Sequence, residues 1–252
     1  MRFTTTILAG LALMLIAVTS PVDAQLSLIS QSRSVSAEAT ICDGPVDASI
    51  LSSSAAGLFA ESTSESMDGW EATAAGALCI EMDEEYSGAA TQDTNISTSI
   101  IQGFGTATAG KSGGVLEPGY GKGDSDFSVT FELTSPMSYE LFGEVAGEAA
   151  DVGGFYPGEA NVTLLQGSSV IHSVDPFTPD PDFGGGSENA FAFSGVLSPG
   201  VYTLNAYASA MSKGYMESGD SSSFSFTFVP EPDASAVLLV GLLLAWGKSR
   251  KR

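Results

Sequence analysis

Strict alternation of apolar and polar residues is the feature that most constrains the fold of this chain. In Ser125–Leu133, every second residue from Phe127 onwards is large and apolar, with polar residues between them. The same period of two recurs in Tyr139–Val145, Val201–Ala208 and Phe224–Phe228. Alternate side chains of an extended strand point to opposite faces, so this pattern predicts strands that bury one face.

Segments rich in Gly, Pro, Asp and Ser separate about eight to ten such strands. Phe127–Val145 is expected to form a hairpin that turns at Thr134–Met137. The stretch Asp43–Ala75 has no clear pattern, and the prolines and glycines of Val174–Gly186 predict a long loop. We therefore predict an all-β fold, an antiparallel β-sandwich that is jelly-roll-like or Ig-like.

The N-terminus has the three parts of a secretory signal peptide. Arg2 provides a basic start, residues 7–18 form an apolar run, and the small residues Val22 and Ala24 stand before Gln25. This arrangement predicts a signal peptide over residues 1–24 that is removed on export, so that the mature protein begins at Gln25.

The C-terminus predicts a single short transmembrane helix. Ala234–Trp246 is apolar apart from Ser235, and it is followed by a basic tail made of Lys248, Arg250, Lys251 and Arg252. At about 1.5 Å per residue the run spans roughly 20 Å, which is shorter than a hydrocarbon core of about 30 Å. A basic cluster of this kind stays on the cytoplasmic side, which places the body of the protein outside the inner membrane.

A proline–acid–proline triplet stands just before the predicted helix. Pro230 and Pro232 flank Glu231, and two prolines so close together disfavour a helix or a central strand. We therefore expect the triplet to be extended and accessible. The alternative is an ordinary linker between the body and the membrane anchor.

The order of triplet, short apolar helix and terminal Lys/Arg cluster resembles the PEP-CTERM sorting signal of Gram-negative bacteria. The resemblance is confined to residues 230–252, which leaves residues 25–229 as the exported β-sandwich domain. It implies that a membrane protease of the exosortase type recognises Pro230, Glu231 and Pro232. It also implies a link to exopolysaccharide, and a protein held briefly at the inner membrane before it reaches the cell surface or extracellular matrix.

The chain is strongly acidic, with 30 Asp and Glu residues, nine Lys and Arg residues and a formal net charge of −21. Only Arg33, Lys111, Lys122 and Lys213 are basic between residues 25 and 229. Such a surface repels nucleic acid and anionic lipid, so no nucleic-acid partner is expected.

Two groups of loop acids are candidates for a calcium site, because calcium takes carboxylate and carbonyl oxygens. Asp175, Asp180 and Asp182 form the first group, and Asp124 with Asp126 forms the second. Neither group matches an EF-hand or the nonapeptide calcium repeat. Solvated loop acids that bind no ion are the alternative, and no other cofactor is expected.

Two cysteines, Cys42 and Cys79, lie in the exported part of the chain. An even count in an oxidising compartment predicts one disulfide, which could add roughly 3–4 kcal/mol by closing a loop of this length. Two free thiols are the alternative.

No catalytic constellation stands out, and we predict that the protein is not an enzyme. The chain has one histidine, His172, in a predicted strand whose alternation sends Asp175 to the opposite face. No pair of carboxylates is singled out for glycoside hydrolysis. His172 is interpreted as an ordinary strand residue.

The function hypothesis that follows is a structural or adhesive role at the cell surface or in an extracellular matrix. The alternative is a carbohydrate-binding β-sandwich module that depends on calcium. Its candidate sugar-stacking residues are considered only as a group, and they are Trp70, Tyr120, Tyr156, Tyr202, Tyr207 and Tyr215.

Overall fold

Every regular element that the structure describes is a β-strand. The computed structural model describes residues 26–41, 59–64, 68–80, 84–112, 119–149, 158–175, 185–213 and 218–231. The strands in these ranges are β1 (Leu26–Ile41), β2 (Phe59–Ser64), β3 (Gly69–Ile80), β4 (Glu84–Ile96), β5 (Ile101–Ser112), β6 (Gly119–Leu133), β7 (Met137–Ala149), β8 (Glu159–Gln166), β9 (Ser169–Val174), β10 (Gly185–Leu197), β11 (Gly200–Lys213) and β12 (Ser218–Glu231).

The strands form two six-stranded sheets in which all neighbours are antiparallel. Sheet I has the order β2-β1-β6-β11-β8-β9, and sheet II has the order β10-β7-β12-β5-β4-β3. The prediction of an antiparallel β-sandwich is confirmed. The described residues hold twelve strands instead of the expected eight to ten, which is more than the roughly seven to nine of an immunoglobulin domain or the eight of a jelly roll.

Part of this difference comes from the stretch Asp43–Ala75, where the sequence shows no clear pattern. The described part of that stretch contains β2 and the first half of β3. β2 pairs with β1, and β3 pairs with β4, so these strands form one edge of sheet I and one edge of sheet II.

The connection Thr134–Pro136 joins the two sheets instead of two neighbouring strands. β6 belongs to sheet I and β7 to sheet II, so the predicted hairpin Phe127–Val145 is wrong. β6 pairs with β1 and β11, whereas β7 pairs with β10 and β12. A hairpin and a connection between sheets bury the same alternate side chains, which is why a period of two does not distinguish them.

Aromatic rings from the two sheets pack against each other in the interior. The ring centroids of Phe127 and Phe226 are 5.1 Å apart, and those of Phe131 and Phe228 are 5.5 Å apart. Each such pair adds about 0.5–1.5 kcal/mol beyond the burial of its area. Further large buried side chains in this core are Ile96, Ile101, Leu133, Leu141, Leu164, Tyr202, Leu204 and Phe224.

At the other end of the sandwich, small residues line the interior and the two backbones meet. A Cβ atom placed on Gly121 would lie 2.0 Å from the carbonyl oxygen of Ser87, and one on Gly123 would lie 2.2 Å from that of Ala89. Real Cβ atoms do not come within 3.0 Å of such atoms, so glycine is required at both positions. The buried alanines around this contact are Ala37, Ala39, Ala90, Ala107, Ala109, Ala208 and Ala210.

A fully buried arginine ties the sheets together near β3. Nη1 of Arg33, on β1, lies 2.7 Å from Oδ1 of Asp68, and Nη2 donates to the Asp68 carbonyl at 3.2 Å and to the Gln31 side chain. The same carbonyl accepts the backbone N–H of Ile96 at 2.9 Å. This network joins β1 of sheet I to the start of β3 and the end of β4 in sheet II.

Candidate functional site

A groove runs over β12 on the outer face of sheet II. The outward side chains of β12 are small hydroxyl residues, and they are Ser221, Ser223, Ser225 and Thr227. β5 and β7 flank β12 on either side and carry larger outward side chains. Because a floor of small residues lies between two taller walls, the face is concave along β12. We refer to this feature as the β12 groove.

The lower part of the β12 groove is a depression of about 340 Å³ between two exposed phenylalanines. Phe104 on β5 is 47% exposed and Phe142 on β7 is 42% exposed. The polar side chains around these rings belong to Asp93, Asn95, Gln102, Ser225 and Thr227. An exposed apolar pair rimmed by polar groups is typical of a binding surface, whereas single exposed apolar residues are ordinary.

The strand register places the two rings on opposite walls of the groove. Phe104 is opposite Ser225, and Phe142 is opposite Thr227, two residues further along β12. Strand spacing and rise put their Cα atoms about 12 Å apart, which is beyond the 4.5–7 Å of direct ring contacts. Each phenylalanine therefore offers its apolar surface to the groove without covering the other.

The upper part of the β12 groove is a second depression of about 480 Å³. Its outward side chains belong to Thr106, Thr108, Glu148, Glu188, Ser221 and Ser223. Glu144 lies between the two parts of the groove, opposite Ser225 on β12. Hydroxyl and carboxylate side chains line this half together with Ala146 and two glycines, so it can accept hydrogen bonds and attract positive charge.

Two carboxyl groups meet on the wall formed by β7 and β10. Glu144 is opposite Ala190 and Glu188 is opposite Ala146, so the two acids are diagonal neighbours. Desolvation, together with the charge and hydrogen bond of Glu188, raises the pKa of the Glu144 carboxyl. Acids in hydrogen-bond contact are closer than the separation of about 5 Å or more at which two carboxyls flank a glycosidic bond.

Phe104 and Phe142 are not among the predicted site residues, although the parity of their strands contains the signal. On β5, Phe104 has the opposite parity to the buried Ile101, and on β7, Phe142 has the opposite parity to the buried Leu141. Period two therefore places both rings on the outer face. Both strands alternate in the structure, and Tyr139–Val145 of β7 does so as predicted.

The described members of the predicted tyrosine and tryptophan group do not form a platform. Tyr202 is 1% exposed and belongs to the core, and Trp70 packs against a small cluster of buried alanines and Val35. Tyr120 and Tyr207 share the outer face of sheet I but lie about 20 Å apart along the strands. Tyr156 and Tyr215 are outside the described residues.

The predicted sorting triplet begins within the last strand. Pro230 and Glu231 end β12, opposite Tyr139 and Ser138 of β7, and Pro232 lies outside the described residues. The pairing of β12 with β5 ends at Phe228 and Ile101, so Pro230 has a neighbouring strand on one side only. A proline is tolerated there as at a sheet edge, which explains why a central strand can include it.

The other terminal features predicted from the sequence lie outside the described residues. These are the signal peptide over 1–24, the apolar run 234–246 and the basic tail Lys248, Arg250, Lys251 and Arg252. Within the ranges that the structure describes, no helix is long and apolar enough to cross a membrane. Cys79 lies in β3 opposite Glu85, and Cys42 is outside the described residues, so the disulfide stays a prediction.

The acids proposed as calcium ligands differ in their surroundings. Asp175 follows β9, where its carboxylate accepts the side-chain amide of Asn161 and its carbonyl accepts that of Asn189 at 3.1 Å. Its predicted partners, Asp180 and Asp182, are outside the described residues. In the part of the chain that the structure describes, no group of three or more His, Cys, Asp or Glu side chains could hold a metal ion.

Asp124 and Asp126 lie on β6 and not in the predicted loop. Nζ of Lys122 is 2.8 Å from the Asp124 carboxylate, which also accepts hydrogen bonds from Ser209 at 2.8 Å and Ser36 at 3.2 Å. Burial raises the pKa of Asp126, and the charge of Asp124 adds to this effect. The neighbouring cation and hydroxyls thus occupy the Asp124 oxygens that a calcium ion would need.

The one histidine of the chain, His172, forms a contact between the two sheets. Nε2 of His172, on β9 of sheet I, is 2.6 Å from the Tyr139 hydroxyl on β7 of sheet II, and the imidazole stacks on Phe193 of β10 at 4.0 Å. Desolvation lowers the pKa of His172 and raises that of Tyr139, so a neutral imidazole and a neutral hydroxyl share this hydrogen bond. This role is structural, consistent with the interpretation of His172 as a strand residue.

The fold and the groove together define the class of protein: a two-sheet antiparallel β-sandwich with an open groove on one outer face. No family model and no curated protein matches the chain. It aligns with the infectious bursal disease virus Gx strain structure at 12% identity, over 86% of this chain and 69% of that chain, with a TM-score of 0.18. It also aligns with the crystal structure of the VP2 subviral particle of that virus at 12% identity, over 88% of this chain and 73% of that chain, with a TM-score of 0.15. TM-scores this low carry no argument about fold or function.

Proposed function

We propose that this protein is an exported, non-catalytic adhesive protein of the cell envelope or extracellular matrix, which an exosortase-type system processes and which holds polysaccharide in the β12 groove. The observation that carries the proposal is the pair of exposed rings, Phe104 and Phe142, on opposite walls of a hydroxyl-lined groove. Polysaccharide chains have apolar ring faces and hydroxyl edges, which suit such rings and such a floor.

The shape of the groove suits an extended polymer better than a compact small molecule. From Ser221 to Thr227 the floor extends about 20 Å along β12. The two depressions are open to solvent along the outer face of sheet II. A chain lying along β12 could contact both walls at once, and many weak contacts along a polymer add to a useful avidity.

A non-catalytic role is supported by the state of the groups that could do chemistry. The imidazole of His172 is engaged with Tyr139 and Phe193, away from the groove. Glu144 and Glu188 are in hydrogen-bond contact, which is too close for the acid pair of a glycosidase. Release of reducing ends from a bound polysaccharide would contradict this part of the proposal.

Processing at both ends is supported by the order of the terminal sequence elements. The signal-peptide pattern over residues 1–24 predicts export, and the triplet at 230–232 begins with Pro230 and Glu231, the last two paired residues of β12. Cleavage after Pro232 would release a domain that keeps the whole of β12, which ends at Glu231. The mass of the protein recovered from its native envelope and medium tests this, with a start at Gln25 and loss of residues beyond 232 expected. An intact Arg252 in the membrane fraction would contradict exosortase-type processing.

The groove is tested by replacing its two rings. Phe104→Ala and Phe142→Ala should each weaken binding to the polysaccharide retained by the wild type about tenfold, because a stacked aromatic contributes about 1–2 kcal/mol at such a site. Ile29→Ala is the matched control, since Ile29 is 42% exposed on the outer face of sheet I. Calorimetry or affinity electrophoresis measures the effect. If all three variants bound the polysaccharide as tightly as the wild type, the proposal that the β12 groove binds it would be refuted.

A further inference from the structure

The β12 groove carries carboxylates without an accompanying basic residue. Glu144, Glu148 and Glu188 stand on the wall formed by β7 and β10, and Asp93 stands on the far side beside Phe104. Within the described strands of sheet II the only Lys or Arg is Lys111, whose side chain points inward and is 4% exposed. The groove therefore presents negative charge along its whole length.

The register places this charge next to the exposed rings. Rows of outward residues cross the sheet, and Glu144 lies directly across Ser225 from Phe104. Glu144 is also two residues from Phe142 on β7, a distance of about 7 Å along the strand. A sugar unit that rests on either ring thus has a carboxylate within reach of its neighbouring substituents.

Like charges that face each other across a sheet are unfavourable unless a cation or a proton compensates them. Glu144 and Glu188 are such neighbours on a diagonal, where the proton of their hydrogen bond compensates one charge, and the described residues of sheet II place no outward cation beside them. A ligand that brings positive charge would relieve this repulsion. A polymer of uronic acids would add to it, and a neutral polymer would leave it unchanged.

We propose that the β12 groove selects a polysaccharide with protonated amines, with sugar rings against Phe104 and Phe142 and ammonium groups at Glu144, Glu148 and Glu188. This proposal rests on the proposed function and names the chemical class of its ligand. Aromatic faces and carboxylates act together here, because a stacked ring positions the amine and the ion pair favours one type of sugar.

The test compares two oligosaccharides that differ only in charge. Titration calorimetry of the full-length protein uses glucosamine hexamers and fully N-acetylated glucosamine hexamers, at a mildly acidic pH that protonates the free amines. We expect the glucosamine hexamer to bind at least tenfold more tightly. Higher salt should reduce this preference, because exposed ion pairs are screened.

A matched pair of double variants separates the groove from the general negative charge of the protein. Glu144→Gln with Glu188→Gln should reduce binding of the glucosamine hexamer about threefold to tenfold. Glu132→Gln with Glu159→Gln removes the same charge from exposed positions on sheet I and should change it less than twofold. Equal losses in both double variants would mean that nonspecific attraction to a polyanion explains the binding, and would overturn the proposal.

The remaining outcomes separate this inference from the proposed function. Equal binding of both hexamers, lost in Phe104→Ala, would overturn the selection for amines and keep the polysaccharide groove. If the affinity for the glucosamine hexamer is unchanged in Phe104→Ala but falls in the Glu144→Gln, Glu188→Gln double variant, the stacking contacts are refuted. Absence of binding to either hexamer and to every polysaccharide tested would overturn both proposals.

Discussion

The contact between the two backbones at Gly121 and Gly123 leads to the most direct test of this architecture. A Cβ atom on Gly121 would lie 2.0 Å from the Ser87 carbonyl oxygen, whereas ordinary contacts begin near 3.4 Å. Gly121→Ala therefore forces the two sheets about 1.4 Å apart at this point. Both partners are backbone atoms held by neighbouring strands, so no side chain can rotate away to relieve the clash.

The cost follows from this displacement. Overpacking a core costs typically about 1–3 kcal/mol, and a gap of 0.5–1 Å already removes a quarter to a half of each dispersion contact. We therefore expect Gly121→Ala, and likewise Gly123→Ala, to lower the free energy of unfolding by about 3 kcal/mol. With a urea dependence of about 2–3 kcal/mol/M, the unfolding midpoint should fall by about 1–1.5 M.

The control is a glycine of the same fold that has room for a methyl group. A Cβ atom on Gly195, in β10, would lie 3.5 Å from Cε1 of Tyr139, which is an ordinary contact. Gly195→Ala should leave the midpoint unchanged or raise it slightly, because alanine reduces the entropy of the unfolded chain. If urea unfolding followed by fluorescence gave the same midpoint for Gly121→Ala and Gly195→Ala, the close approach of the sheets would be refuted.

Two further substitutions test the contacts between the sheets. Asp68→Asn should destabilise the protein by about 3 kcal/mol, because it leaves the fully buried cation of Arg33 without its counter-ion. Arg33→Met should cost less, because the carboxylate that it leaves unpaired is 43% exposed. Equal losses of the free energy of unfolding in urea would contradict the burial of Arg33. The lowered pKa of His172 means that the unfolded chain binds more protons as the pH falls below about 6.5. The difference in free energy of unfolding between the wild type and His172→Gln should therefore shrink as the pH falls from about 8 to 5. A difference that stays constant would show that the imidazole is not desolvated between the two sheets.

The alternating segments illustrate what could be predicted before the structure was known. The pattern in Phe224–Phe228 correctly assigns each of these residues to the interior or to the outer face of β12. The same parity rule puts Phe104 and Phe142 outside, so the rings of the candidate site follow from local sequence once the strands are assumed. The predicted sugar-stacking group contained tyrosines and Trp70 instead, because it was based on residue type and not on the face of the strand that each residue occupies.

The partners of each strand could not be predicted in the same way. Thr134–Pro136 was interpreted as a hairpin turn, yet β6 and β7 belong to different sheets. The Glu144–Glu188 pair depends on β10 lying beside β7, although more than 30 residues separate the two acids in the chain. Such neighbours arise from the global packing of the sheets, which no short sequence window contains.

The sequence by itself determined the strand character and the inward and outward faces of the clearly alternating segments, because these depend on a period of two. The terminal signals are predicted from local composition. Only the tertiary structure decided which strands meet, where Gly121 and Gly123 let the backbones touch, and how β5, β12 and β7 come together as a groove. These features need contacts between residues far apart in the chain, and many pairings are compatible with the same alternating pattern.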